Sequence, residues 1–315
     1  MFCPHCNFKN VEGLSECQGC GKWLAVRPQS APLDLLQLSK EEFLRELGNG
    51  IPLIVENMRK LWSEAAEIGN LGKRRAVGIL QALAEEEAAK ALILFDVVRC
   101  PDRRIDERRR LIKGFDEHLA KGIYSRFYDT RPATLAEVKG IVDRDRTKFY
   151  REGEYGEYIA PNYILFWREN RLYVDFVREA DNSHRWQIPL AVDLLWGTLI
   201  PSGSVRVVNA LAELNLFSET GLTLTADYWV KIEMNDGRYG SEEEAKKKEI
   251  GWLQLRNANL EYIDFVNKKG VEYFEKDLPA IREVIEGLLY PLYPFDLTGI
   301  DNFRELPGPD YPDFY

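Results

Sequence analysis

The stretch KRRAVGILQALAEEEAAKALILFDVV, residues 73–98, decides how the fold is read. It predicts one helix. Stepping four then three residues from Ala76 gives Leu80, Leu83, Glu87, Lys90, Leu94 and Val97. That is a seam facing a helical bundle, interrupted by one acid and one base. Glu86 lies four residues before Lys90 and flanks the same stripe. Burying charge is costly unless it is paired, so these groups are expected to neutralise one another or to meet a partner.

Working outward, GNLG at 69–72 predicts a turn, and before it Ser39-Lys-Glu-Glu42 forms a capping box. That box opens a helical region running to about Ile68, with Gly48, Gly50 and Pro52 expected to break or kink it. CPD at 100–102 breaks the chain again, and a third helix is predicted over Ile105 to Phe127. Stepping along it from Leu111 gives Phe115, His118 and Gly122, with Lys121 on a neighbouring face. Antiparallel packing of the second and third helices would bring the Glu/Lys patch to the His/Lys patch. Two readings stand side by side: a functional cluster, or a rim salt bridge with a snorkelling lysine. A fourth helix is predicted from Pro132 to near Gly153, which makes a repeated helical hairpin and hence a bundle.

The pattern then changes. RLYVDFV at 171–177 alternates apolar and polar, DNSH is a turn and RWQIP follows, which predicts a short β-hairpin. Helices are expected again over 189–199 and 204–216, and from Ser241, whose partner three residues on is Glu244. The tail from Pro291 carries five of the fifteen prolines, with aromatic residues between them, and is read either as an extended segment anchored by its aromatics or as partly disordered.

At the other end, CPHC at 3–6 and CQGC at 17–20 give the pattern Cys-x2-Cys-x10-Cys-x2-Cys. Cys3, Cys6, Cys17 and Cys20 together supply the four thiolates of a structural Zn2+ site. A redox dithiol would need a sheet strand before Cys3, and only Met1 and Phe2 precede it. Asn7 and Gly21, each after the second cysteine of a pair, tolerate the positive φ of a tight knuckle. His5 is read as a surface residue between two ligands, with a Cys3/His swap as the variant. Such a module has almost no core, so the metal holds it, by about 10–16 kcal/mol. Two disulfides are the alternative and require an oxidising compartment. No signal segment and no apolar run of about 18–20 residues is present, so a cytoplasmic protein without membrane contact is expected. Cys100, the fifth cysteine, is read as an ordinary free thiol.

The net charge of −9 argues against broad nonspecific binding to nucleic acid. RCPDRRIDERRRLIK, residues 99–113, is the local exception, with seven basic residues against three acids. It is read either as a solvated face or as an anion-binding one.

The segment GKRRAVGILQALAEEEAAKALIL resembles the EE-x-x-K helix of the AbiV-type abortive-infection proteins, a branch of the HEPN superfamily, with Ala89 where that family has Gly. FDEHLAK resembles the His-x-x-K segment of its next helix, matching His118 and Lys121, and RENRLYVDF…IP resembles its "LYVD" stretch. The likeness spans about residues 45–190. It implies a mainly α-helical, commonly dimeric protein of antiphage defence. Many relatives are metal-independent RNases in which the RNA 2′-OH attacks its own phosphate. By that likeness His118 would move the proton, Lys90 or Lys121 would stabilise phosphoryl charge, and Glu87, or Glu86 in its place, would orient the imidazole or hold the lysine. The chain departs from the catalytic signature of Arg, four to six residues, then His: Leu111, Ile112 and Lys113 stand where the arginine belongs. Arg178 and His184 have the spacing, but across the predicted hairpin turn.

The expected architecture is therefore mainly α. A four-cysteine zinc ribbon (1–26) and a linker (27–38) precede a HEPN-like helical bundle with a β-hairpin insertion (39–200). A helical extension with a Pro/aromatic tail (201–315) follows. Two functions remain open: a defence effector that cleaves RNA, or a noncatalytic defence protein whose ribbon recruits a phage or host protein. A zinc-ribbon RNA-binding accessory is weaker, since Lys9, Lys22 and Arg27 are its only basic support.

Overall fold

Ser39 caps the first long helix as its motif predicts: Glu42 N donates to Ser39 Oγ at 3.3 Å, and Ser39 N donates to Glu42 Oε2 at 3.2 Å. The helix it opens, α1 (Lys40–Asn70), is preceded by a short 3-10 turn over Pro32–Gln37, within the stretch expected as linker. The computed structural model describes residues 6, 8, 9, 17–20, 31–130, 132, 135–153, 156–178, 183–189, 200–232, 257–269, 281, 283–285 and 291–300. The chain divides into two compact units, Met1–Pro32 and Leu33–Tyr315. The second is mainly helical.

Pro52 lies inside α1, and the expected break there does not occur. The ring crowds the carbonyl of Gly48, four residues back, and leaves it without its intrahelical donor, yet α1 continues to Asn70. Gly48 is required for another reason, because a β-carbon on it would lie 2.8 Å from Glu219 N.

After the turn at Gly72, whose φ is +70°, α2 (Arg74–Arg99) runs through the middle of the unit. Its interior stripe is Val77, Ala84, Ala88, Leu92 and Phe95, not the leucine seam expected from the sequence, since Leu83 is 37% exposed. Beyond Lys90 every residue from Ala91 to Cys100 is buried, so here α2 is surrounded on all sides.

The expected third helix is two helices, α3 (Ile105–Gly114) and α4 (His118–Phe127). Three successive i→i+3 bonds tighten the chain between them: Phe115 N to Ile112 O, Asp116 N to Lys113 O and Glu117 N to Gly114 O. Gly114 permits the corner, since a β-carbon there would lie 3.1 Å from Ala120 Cβ. His118 therefore opens α4 instead of continuing the face of Leu111.

The expected fourth helix ends early, as α5 (Leu135–Arg146). An antiparallel hairpin follows, β1 (Lys148–Gly153) with β2 (Gly156–Asn162), pairing Gly153 with Gly156. Asn162 closes β2 and caps α6 (Tyr163–Leu172), its Oδ1 accepting from Ile164 N at 2.9 Å. The hairpin predicted from RLYVDFV and RWQIP is present as β3 (Asp175–Arg178) with β4 (His184–Gln187); Arg178 and His184 form its last pair.

Two helices from the expected C-terminal extension complete the bundle, α7 (Gly203–Glu213) and α8 (Glu219–Trp229). α7 packs on α2 and α4, and α8 on α1 and α2, so they belong to the same unit as the helices before residue 200. A further helix covers 257–268. The helices expected over 189–199 and from Ser241 lie outside the described residues.

The aromatic tail is anchored over 291–300, where Leu292, Tyr293, Phe295 and Leu297 are buried. Leu292 N donates to Asp96 Oδ2 at 2.7 Å. Asp96 also accepts from Tyr124 Oη at 2.6 Å and from Arg99 Nε at 2.9 Å. Arg99 lies between the rings of Phe95 and Trp229. Further along, Arg146 pairs with Asp296 at 3.0 Å, and Ile300 N donates to Arg146 O at 3.0 Å. No helix among the described residues is long and apolar enough to cross a membrane.

Candidate functional site

Three helices of the second unit present one stripe each to a shared cavity of about 360 Å³. α2 contributes Ala82, Glu85 and Glu86, and α4 contributes His118, Gly122, Ser125 and Arg126. α6 contributes Tyr163, Ile164, Trp167, Arg168 and Arg171. Spacings of three, four and seven residues place each set on one helical face. Gly122 makes the approach of α4 to α6 close, for a β-carbon there would lie 2.1 Å from Ile164 Cγ2.

Glu86 is the centre of the polar cluster. Its Oε1 accepts from Arg168 Nε at 2.7 Å, while Oε2 lies 3.1 Å from Lys121 Nζ and 3.2 Å from His118 Nδ1. Burial alone would raise the Glu86 carboxyl. The hydrogen bond from Arg168 and the charge of Lys121 outweigh it and hold the group below its usual range. Lys121 is 6% exposed and the His118 side chain 45% exposed, so the amine lies inside and the imidazole at the rim.

Three of the residues predicted from sequence, Glu86, His118 and Lys121, are thus brought together. Glu87 and Lys90 form their own pair at 2.7 Å, with the ammonium over the Phe115 ring. No hydrogen bond or ion pair joins that pair to Glu86 among the described residues.

Glu85, one residue before Glu86, behaves in the opposite sense. Burial raises its carboxyl, the Asp129 charge adds to the effect, and Arg171, at 3.9 Å, opposes it only in part. Arg126 stacks over the Tyr163 ring at 4.7 Å. Arg126, Tyr163, Trp167, Arg168 and Arg171 are not expected from the sequence. The spacing of Tyr163, Trp167 and Arg171 at four-residue steps is the available signal.

The basic run 99–113 is largely committed to structure. Arg99 pairs with Asp96, Arg108 with Asp102, Arg104 with Glu107 at 3.0 Å and Arg109 with Asp106 at 3.6 Å. Cys100 is buried, which pushes its thiol up to about 12 and leaves it unreactive.

In the first unit, the sulfurs of Cys6, Cys17 and Cys20 lie within 4.8 Å of one another, close enough to share a metal ion. Cys3, the fourth expected ligand, lies outside the described residues, as does His5. The Cys6 and Cys17 sulfurs are 3.6 Å apart. A tetrahedron with metal–sulfur bonds of about 2.3 Å has edges of about 3.8 Å, so the spacing fits a metal. It is far beyond the roughly 2.05 Å of a disulfide. Gly19 N donates to Cys17 Sγ at 3.3 Å, the contact that stabilises a metal-bound thiolate in a knuckle.

The chain matches no family model, no curated protein and no solved structure.

Proposed function

We propose that the chain is an antiphage abortive-infection effector of the AbiV-like, HEPN-type class, acting as a metal-independent endoribonuclease at the α2/α4/α6 cavity. One observation carries this reading: His118 and Arg168 converge on the Glu86 carboxylate at the edge of a cavity that holds two further arginines. An ionised carboxylate only accepts, so Nδ1 carries the proton of the neutral ring and Nε2 is left as a base. Nε2 takes the proton of an RNA 2′-OH as that oxygen attacks the adjacent phosphorus. The bond to the 5′ oxygen breaks, that oxygen takes up the proton from Nε2 through water, and the products are a 2′,3′-cyclic phosphate and a 5′-OH end. Arg126 and Arg171 stabilise charge on the phosphoryl oxygens. Glu86 orients the imidazole, and Lys121 and Arg168 hold Glu86. Arg168 offers through space the cation that the sequence lacks at an Arg-to-His spacing.

The Cys cluster is proposed to hold one structural Zn2+ with Cys3 as fourth ligand. A closed thiolate shell leaves no open position for catalysis. A reduced, cytoplasmic setting and a homodimer accord with this reading.

The test is RNA incubated in chelator with wild type and with His118→Ala. Cleavage to cyclic-phosphate ends by wild type alone establishes the enzyme. A second reading is supported by the burial of Lys121 and the three partners of Glu86, which also suit a purely structural ion network. There the protein is noncatalytic and its metal module recruits a phage or host protein. Absence of cleavage by wild type, with protection against phage retained, selects that reading.

A further inference from the structure

We infer that a second cavity, between the α3/α4 corner and the tail over 295–299, binds a small amphiphilic carboxylate: a short apolar chain carrying one anionic head, the class of a medium-chain fatty acid.

The cavity measures about 280 Å³ and shares no lining residue with the one between α2, α4 and α6. Its apolar wall comes from two distant parts of the chain. Leu111, Leu119 and Ala120 flank the corner at Gly114, and Phe295 and Leu297 come from the tail. Arg146 fixes the tail wall in place: its Nε donates to Thr298 O at 2.7 Å, and its guanidinium pairs with Asp296 at 3.0 Å. A wall set before binding costs little to order. Water settles in a hollow only where polar partners hold it, so an apolar body is the guest these side chains favour. The volume equals about nine waters, which is room for a chain of about eight carbons.

The head is specified by two cations. Arg110 and Lys113 both line the cavity, three residues apart on α3, and neither side chain makes a hydrogen bond or ion pair among the described residues. Their neighbours on the helix differ: Arg104, Arg108 and Arg109 each have a carboxylate of their own. The Asp296 charge reaches Arg110, but both oxygens of that carboxylate are bonded elsewhere, Oδ1 to Thr298 and Oδ2 to Arg146. Like charges at this helical spacing repel, so an anion between Arg110 and Lys113 is stabilising.

Charge selects the carboxylate. Glu117 is the one acid among the lining residues described, so two cations against it leave a single positive charge to match. A carboxylate carries one negative charge, whereas a phosphate monoester carries about 1.5 to 2 at neutral pH. The Arg110 fork also suits the two oxygens of a carboxylate.

The test is isothermal titration calorimetry of the full chain with sodium octanoate, and with acetate, 1-octanol and octyl phosphate in parallel. Wild type is expected to bind one octanoate per chain, at least tenfold more tightly than acetate or 1-octanol and more tightly than octyl phosphate. Arg110→Gln should weaken octanoate about tenfold, the loss of a charge-assisted hydrogen bond. Lys113→Gln, at an exposed position, should weaken it by about threefold. Gly299→Leu puts a side chain into the cavity and should abolish binding; a β-carbon there meets nothing nearer than Leu119 Cδ2 at 3.5 Å, so the fold accommodates it. Absence of octanoate binding by wild type, equal binding of octanoate and 1-octanol, or unchanged affinity in Arg110→Gln overturns the inference. Undiminished binding in Gly299→Leu places octanoate elsewhere and overturns the site. Tighter binding of octyl phosphate overturns the carboxylate as head. None of these readouts depends on whether the protein cleaves RNA.

Discussion

Arg168 Nε donates to Glu86 Oε1 at 2.7 Å across 82 residues of sequence. The two belong to α6 and α2, so the ion pair ties the third wall of the cavity to the central helix. Glu86→Gln would leave Lys121 buried beside a neutral amide and is expected to cost about 2–3 kcal/mol at neutral pH, read from urea unfolding. The folded-state carboxyl is held below its usual range, so its contribution is present above about pH 4.3 and is lost as pH falls through the lowered value. The gap between wild type and variant should therefore close in acid.

Glu85→Gln should do the reverse. The raised carboxyl of Glu85 makes the folded state hold its proton more tightly than the unfolded chain does. Ionisation then costs stability as pH rises from about 4.3 through the raised value. The variant is expected to be more stable than wild type at pH 7 and equal to it in acid. Paired urea titrations at both pH values decide it: a variant less stable at pH 7 refutes the assignment.

Gly122→Ala puts a methyl where Ile164 Cγ2 lies 2.1 Å away, on the surface that seats α4 on α6. Overpacking of this kind costs about 1–3 kcal/mol. Ile164→Ala removes the clashing carbon, so the double variant should be more stable than the sum of the two single losses predicts. Strict additivity in a double-mutant cycle would show that the helices do not meet there.

Asp96→Asn is expected to be the most damaging of these changes, at about 3–5 kcal/mol, because Arg99 would be left buried without its counter-charge. Denaturant unfolding measures the loss, and replacing the pair together, Asp96→Leu with Arg99→Met, should recover part of it.

Metal analysis of the intact protein should return close to one zinc per chain, and Cys17→Ala should lose it. The helical unit Leu33–Tyr315 is separate by its contacts, so far-ultraviolet circular dichroism of that variant should stay near wild type. A collapse of helical signal would show that the two units share a fold.

Local signals are legible where a short-range rule governs. The capping box at Ser39, the turn at Gly72 and the alternation that becomes β3 and β4 each depend on neighbours in sequence. The buried stripe of α2 is misread when leucines are weighed and alanines are not, since Ala84 and Ala88 are fully buried while Leu83 is not. The corner between α3 and α4 has no proline, and helical periodicity runs through it, so nothing but the glycine at 114 marks where the i→i+3 bonds tighten the chain. KFYREGEYGEYIA does alternate, with glycines at 153 and 156, yet the run of helix before it masks that pattern. Within the site, Glu86, His118 and Lys121 are visible as periodic polar residues. Arg168 is not, because nothing near it in sequence reveals a partner 82 residues away.

Leu292 N meets the Asp96 carboxylate across 196 residues. A ribosome releases this chain in order, so α2 emerges long before the backbone amide that completes its most deeply buried charge. Until residues 292–295 have been made, Asp96 lacks that donor, the end of α2 lacks Tyr293, and the cavity between α3 and α4 lacks Phe295. Closure of the bundle therefore waits on late synthesis, and a truncated product short of that point would present an unfinished interior to the chaperones and proteases that police nascent chains.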